Sequence, residues 1–503
     1  MVDQLTPGLI LMIIAVYFLG LILISYLTSR NADNATFFLA GRNSPWFLVA
    51  FGMIGATLSG VTFISIPGVI GAGGLNQSYS YMQMVFGYLL GYLFIAHVLM
   101  PLYYRLQLTS IYSFLGDRLG PNAYKVGSAF FLLSRTIGAA FRLYLVAIVL
   151  HGFVLGPFGI SFTMTVMVTI VLIWIYTFRG GINTIVWTDT LQTTFMLTSV
   201  ILSIVFIARA LDVPVGGLPA LIQESNYSQM FYFEGGWNDP NNFFKQFISG
   251  ALITIVMTGL DQDMMQKNLT CRNIGDAQKN MYTFSIVLVF AKFLFISLGA
   301  LLYIYMDQVA PQIMVEHPEL VNNPDQVFPR IALEYLPPIV GISFILGLIA
   351  AAYSSADSAL TALTTSFCVD FLRFEQREDP PEQLKRIRFG VHFGFSVILL
   401  VIIIIFNQLS NESVINELFT WAGYTYGPIL GLFVFGLFTK LEIHDKWVIP
   451  VCLVAPVISF LVNENSAEWL NGFKFGSLII LFNGVLTFLF LLCIAKRSNR
   501  VLS

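Results

Sequence analysis

Charge is what this sequence has least of. Only 11% of its 503 residues are Asp, Glu, Lys or Arg, against roughly a quarter in an ordinary soluble domain. So few charges cannot cover the water-facing surface of a chain this long, so much of that surface must face lipid. An excess of one sign is missing too. The 26 basic and 28 acidic residues leave a formal net charge of −2, which gives no electrostatic case for nucleic acid or an acidic partner. Cysteine is scarce. Cys271, Cys368, Cys452 and Cys493 are scattered without CxxC or Cys/His spacing, which removes both a zinc site and a disulfide framework. The five histidines are isolated and no nucleophile–base pair is visible, so the chain does not read as an enzyme.

What is abundant is apolar length. Fifty-six per cent of the residues are hydrophobic, and about 20 consecutive apolar residues cross a bilayer core as a helix. Thirteen runs qualify, near 6–28, 46–72, 78–104, 127–154, 158–178, 184–210, 244–267, 281–306, 335–371, 388–407, 413–439, 446–463 and 472–495. The first run is too long for a signal peptide, lacks a basic leader and precedes no small-residue cleavage pattern. The expected fold class is therefore an all-α integral membrane protein of about thirteen spans.

Basic residues set the orientation. With the N-terminus outside, 19 of the 26 Lys and Arg fall on the inner side, from Arg30 and Arg42 through Arg373 and Lys385 to Arg497 and Arg500. The C-terminus is then cytoplasmic, as expected for a multi-pass protein of the cell membrane. The loops 211–243 and 307–334 are acidic and rich in Pro, Gly and Asn, as outer loops are. No appended soluble domain is expected from these runs.

Two runs look interrupted. The second holds Gly52, Gly55, Gly60, Pro67 and Gly68, and the seventh holds Thr254, Thr258 and Gly259 before the polar Asp261-Gln262-Asp263. Paired broken helices in corresponding places of two halves point to a transporter's midplane binding site. The two runs stand five apart, the spacing that an inverted repeat of spans 2–6 and 7–11 predicts.

Charge inside a span is costly and marks function by default. Asp189 lies near the inner end of the sixth run, and Asp357 sits in Ser354-Ser355-Ala356-Asp357-Ser358 of the ninth. Positions 354, 357 and 358 share one helix face, so two hydroxyls and a carboxylate converge on one volume. Oxygen ligands suit a hard cation, and carbonyls freed at the break in the second run add to them. Close packing of serines between helices is the competing reading. Arg135 and Arg142, seven residues apart on the fourth run, either bind an anionic solute or pair with Asp189 or Asp357, or Arg142 snorkels. Lys292, in mid-span, is a solute ligand, a structural counter-ion or a competitor of a cation.

At these residues the sequence resembles the sodium:solute symporter family. The resemblance rests on Phe37-Phe38-Leu39-Ala40-Gly41-Arg42, on Thr57 through Gly68, and on Gly180-Gly181 leading into Trp187-Thr188-Asp189. It rests further on Asp261-Gln262-Asp263 with Gln266, the serine cluster at 354–358, and Gly423-Tyr424-Thr425-Tyr426-Gly427-Pro428 before Gly431. It implies a five-plus-five inverted repeat of the LeuT type with an extra N-terminal helix. On that plan residues 1–45 hold the extra helix, 46–210 the first repeat, 211–439 an outer loop and the second repeat, and 440–503 two closing helices.

The resemblance implies one or two Na+ ions as coupling ions. The shared sodium site maps to the carbonyls of Gly55, Leu58 and Ala351 and the hydroxyls of Ser354 and Ser355; a second maps to Asp189, Ser354, Asp357 and Ser358. Asp357 departs from the serine of the sialic acid carriers, so it either strengthens a second sodium site or takes a proton. For the solute, Thr57, Ser59 and Thr62 match the family's broken-helix contacts, with Tyr81, Arg135 and Lys292 as further candidates. The carboxylate-binding arginine of the sialic acid carriers aligns with Gly138 and their second-helix glutamine with Val85, so the solute pocket does not carry over. The expectation is a sodium-coupled importer of a small polar or anionic solute, of the sugar, sialic acid or carboxylate class. Its partners are that solute and the bilayer, with no nucleic acid and no obligatory protein partner. Proton coupling on the same fold is the alternative. A membrane sensor would be expected to carry a signalling domain, and a channel would show rings of charge.

Overall fold

The computed structural model describes residues 6–28, 44–108, 110–409 and 413–496. The Phe37–Arg42 motif, Arg30, Arg497, Arg500 and the side chain of Trp187 lie outside the described residues. The chain is helical almost throughout: α1 (Pro7–Thr28), α2 (Trp46–Thr57), α3 (Val61–Val69), α4 (Tyr81–Arg105), α5 (Pro121–Phe158), α6 (Phe162–Ala210), α7 (Phe243–Gly259) and α8 (Gln262–Asn268). Then follow α9 (Ile274–Gln308), α10 (Pro338–Phe371), α11 (Pro381–Leu409), α12 (Val414–Phe438), α13 (Val448–Glu464) and α14 (Ile479–Cys493). Among the described residues ten helices are long and apolar enough to cross a membrane, and two bent pairs raise the number to twelve.

Both expected interruptions are present. The α2–α3 pair bends by 64° and the α7–α8 pair by 70°. One expected boundary is absent. The fifth and sixth runs, anticipated as separate spans at 158–178 and 184–210, form the single 49-residue helix α6. No proline falls within it, and the backbone at Gly180-Gly181 stays helical. At 1.5 Å per residue that helix reaches roughly 73 Å, more than twice a bilayer core of about 30 Å.

Helices in lipid approach one another through small residues, because apolar burial alone does not drive them together. At the α4–α7 crossing, a Cβ on Gly87 would lie 2.1 Å from the Phe247 carbonyl, and one on Gly250 would lie 2.1 Å from that of Met84. The α12 glycines follow the same logic at four-residue spacing: Gly423, Gly427 and Gly431 meet Ile479, Asn483 and Thr487 of α14. Pro428 sits inside α12 and has no N–H for the Tyr424 carbonyl. The Asn483 amide donates there at 2.8 Å, and to the Gly423 carbonyl at 3.0 Å. The Gly423–Gly431 motif is thus a packing ridge with a repaired kink. At the end of the fold, β1 (Glu442–Ile443) pairs antiparallel with β2 (Ala495–Lys496).

Candidate functional site: a cavity between two broken helices

The two breaks handle their loose carbonyls differently. At the α7–α8 break, the Tyr103 hydroxyl donates to the Gly259 carbonyl (2.9 Å) and the Tyr112 hydroxyl to that of Leu260 (2.6 Å). Asp261 caps α8, its carboxylate accepting the N–H groups of Asp263 (3.0 Å) and Met264 (3.2 Å) and the Tyr426 hydroxyl (3.0 Å). That break is closed by the protein's own donors. At the α2–α3 break, the Ser59 N–H turns to the Thr57 carbonyl (3.0 Å) rather than to Gly55, its partner in a continuing helix. The next turn begins at the Ser59 carbonyl, which accepts from Phe63 (2.9 Å). Among the described residues no side chain donates to Gly55 or Leu58.

Beside that open break lie α6 and α10, which pack extensively on each other and on α2. Gly55 is pressed against α6: a Cβ there would lie 2.3 Å from Thr193 Oγ1 and 2.9 Å from the Asp189 carbonyl. From α10, Ser354 donates to Asp189 Oδ1 at 2.7 Å. Ser355 Oγ is buried with no hydrogen-bond partner among the described residues, which buried hydroxyls rarely tolerate. Carbonyls at an open break and a buried hydroxyl without a partner on the helix beside it are donors of the kind a hard monovalent cation takes, and Gly55, Leu58, Ser354 and Ser355 are among the residues expected for the first sodium site.

The residues expected for a second ion site lie near one another, together with a cation the sequence reading missed. Asp189, Ser354, Asp357 and Ser358 are all buried. Into their midst runs Lys267 of α8, whose ammonium lies 3.3 Å from Asp189 Oδ2 and 2.8 Å from Ser358 Oγ. Lys267 stands at the end of the seventh run, where it had counted among the inner-loop charges that orient the protein. Its helical spacing to Asp263, one turn away, was the available clue.

The solute candidates surround one cavity of about 90 Å³, which Thr57, Ser59, Thr62, Tyr81, Arg135 and Lys292 all line. Arg142, Tyr88, Thr254 and Phe419 line it as well. The cations there differ. Arg135 pairs with Asp263 and lies 3.8 Å from Asp261, instead of the Asp189 or Asp357 named as alternatives from sequence. Lys292 donates to Thr62 Oγ1 at 2.7 Å and stands over the Tyr81 ring, 5.9 Å from its centroid. Arg142 borders the cavity with its Nε buried and unbonded. Among the described residues neither Arg142 nor Lys292 has an acidic ion-pair partner. Gln83, half a turn from the glutamine position of the sialic acid carriers, faces the outer loop, donating to the Asn241 carbonyl (2.8 Å) and accepting from Tyr232 N–H (3.1 Å).

Two broken spans of a helical membrane protein that both line one cavity carrying hydroxyls and cations are the arrangement that points to a carrier for small solutes. The model of the sodium:solute symporter family matches residues 37–442. The chain belongs to that family: it is a multi-pass membrane transporter and not an enzyme, and it couples solute movement to sodium. It is 27% identical to the sodium/sialic acid symporter NanT of Aliivibrio fischeri, over 92% of this chain and 89% of that one. It is 23% identical to the sodium/sialic acid symporter SiaT of Proteus mirabilis, over 92% and 91%. The human sodium/iodide cotransporter is 24% identical over 81% of this chain and 61% of its own length. The solved substrate-bound, outward-open structure of a Na+-coupled sialic acid symporter shares the fold, with a TM-score of 0.78 at 19% identity, covering 97% of this chain and 99% of that one.

Proposed function

We propose that this carrier imports a small organic anion with sodium, and that the anion's acidic group rests between Arg142 and Lys292. The observation that carries the reading is the contrast among the cavity's cations. Arg135 is answered by Asp261 and Asp263, whereas Arg142 and Lys292 line the same cavity without a carboxylate partner among the described residues. A buried cation is costly without a counter-charge, and an anionic solute supplies it. The hydroxyls of Thr57, Ser59 and Thr62 and the Tyr81 ring provide polar and stacking contacts for the rest of the molecule. Relatives that carry sialic acid or iodide, both anions, agree with this class.

Sodium at the carbonyls of Gly55, Leu58 and Ala351 and the hydroxyls of Ser354 and Ser355 holds α2 against α10. It thereby stabilises the conformation in which the cavity receives solute. Coupling is then a shared equilibrium, reciprocal between ion and solute. Alternating access follows from rocking of two inverted halves, residues 46–210 and 211–439. The N-terminus lies outside and the C-terminus in the cytoplasm, in the cell membrane.

The test uses purified full-length protein and its apparent thermal stability, in sodium and in choline at fixed ionic strength. A panel of monocarboxylates and sialic acid is compared with their neutral amides. Carboxylates are expected to stabilise in sodium only, and R142Q or K292M to abolish that shift while retaining the sodium shift. Stabilisation by the neutral amides equal to that by the acids refutes the anion class. No sodium response, with a steep pH response instead, moves the coupling ion to the proton.

A further inference from the structure

The acidic pocket between α6 and α10 holds a cation of its own. We infer that the Lys267 ammonium is the resident ion of the second site, so that this carrier binds one sodium where the same oxygens would otherwise seat two. The inference rests on the sodium reading above for the first site.

The geometry is specific. Asp189 divides its carboxylate between two partners: Oδ1 accepts the Ser354 hydroxyl at 2.7 Å, and Oδ2 faces the Lys267 ammonium at 3.3 Å. Ser358 Oγ accepts from the same ammonium at 2.8 Å. Asp357 turns Oδ1 back to the Ser358 N–H of its own helix at 2.5 Å. An ion held by oxygens sits roughly 2.3–2.6 Å from them on the calcium scale. The ammonium therefore already occupies the coordination space that Asp189 and Ser358 share. A second cation on those oxygens would bring two like charges onto one buried carboxylate, where screening is weak.

The ammonium is covalently tethered. Lys267 closes α8, the short arm beyond the α7 break, and its own carbonyl accepts the Thr270 hydroxyl at 2.7 Å. Lysine delivers a compact charge with rotatable donors, so it can serve a site of scattered oxygens that a planar guanidinium fits less well. In this arrangement the ammonium ties α8 to α6 and α10 in the way an exchangeable ion would, but without leaving in each cycle. Ser354 is shared: it reaches Asp189 on one side and belongs to the first sodium set on the other. The two sites are thus adjacent, and among the described residues only the second holds a cation of the chain's own.

Equilibrium binding of radioactive sodium to the purified full-length protein counts the sites directly. The slope of stabilisation against sodium concentration checks the count without reference to transport. Wild type is expected to bind one ion per chain, K267R one, and K267M two, with the stabilisation curve of K267M steepening from first to second order. Adding S355A should remove one ion from each background. Wild type binding two ions overturns the inference, as does K267M binding one. A K267M protein that folds in sodium but not in potassium or choline supports it, because sodium has replaced the tether. K267M that fails to fold in every medium overturns it, because the seat then rejects sodium. Wild type binding none refutes the first sodium site instead, and a single ion gained by K267M would still uphold the second seat.

Discussion

Substituting Gly55 with alanine tests the junction on which the sodium site stands. The added methyl would lie 2.3 Å from Thr193 Oγ1 and 2.9 Å from the Asp189 carbonyl. The first contact can be relieved by turning the Thr193 hydroxyl away, but that hydroxyl donates to the Asp189 carbonyl at 2.7 Å. Losing the bond costs about 0.5–1.5 kcal/mol. The second contact is with backbone and yields only if α2 moves off α6. Overpacking of this kind costs about 1–3 kcal/mol, so G55A is expected to lose ~2–4 kcal/mol. The shift also carries the Gly55 and Leu58 carbonyls away from Ser354 and Ser355, so sodium affinity should fall with stability. The assay is equilibrium unfolding in mixed micelles, with and without sodium, for G55A, T193A and the double variant. Because T193A removes the worse clash and leaves the backbone one, the double variant should cost at least ~1 kcal/mol less than the sum, as coupled neighbours do. Additivity within ~0.5 kcal/mol, or G55A as stable as wild type, would refute the close crossing of α2 and α6.

Two further outcomes follow from the charges and hydroxyls around that junction. Ser355 Oγ has no partner to lose among the described residues, so S355A should leave sodium-free stability within ~0.5 kcal/mol of wild type. It should abolish the sodium-dependent gain, which reaches ~2.7 kcal/mol at a hundredfold excess over Kd; a retained gain would remove Ser355 from the ion's ligands. R135M strands Asp261 and Asp263 in the interior and is expected to cost about 3–5 kcal/mol in the same unfolding assay, with partial recovery in R135M/D263N. A cost below ~1 kcal/mol, with solute binding alone lost, would instead make Arg135 a solute ligand.

The expectations made from sequence that fared well were those carried by local chemistry. Hydrophobic length identifies spans because each crossing satisfies its own backbone. The breaks at Leu58–Gly60 and Leu260–Asp261 fall beside Gly60 in one run and between Gly259 and the polar Asp261-Gln262-Asp263 in the other, because such residues act on the backbone where they stand; Pro67, read with the first group, sits inside α3. The apolar run at 158–210 shows the limit of that logic. Gly180-Gly181 permits a break without requiring one, and the helix continues through it.

Sequence alone determined that this is a helical membrane protein with two broken spans and a cluster of hydroxyls and acids at its centre, because those properties follow from composition and short-range backbone preference. Tertiary structure alone decided which charges meet. Arg135 finds Asp263 across 128 residues and Lys267 finds Asp189 across 78, and no periodicity along the chain encodes either pairing. Each pairing depends on how α5, α6, α8 and α10 pack. Among the described residues the packing leaves Arg142 and Lys292 at the cavity without a carboxylate partner and turns Lys267, by sequence position a charge at the inner end of a span, into an ion inside the protein.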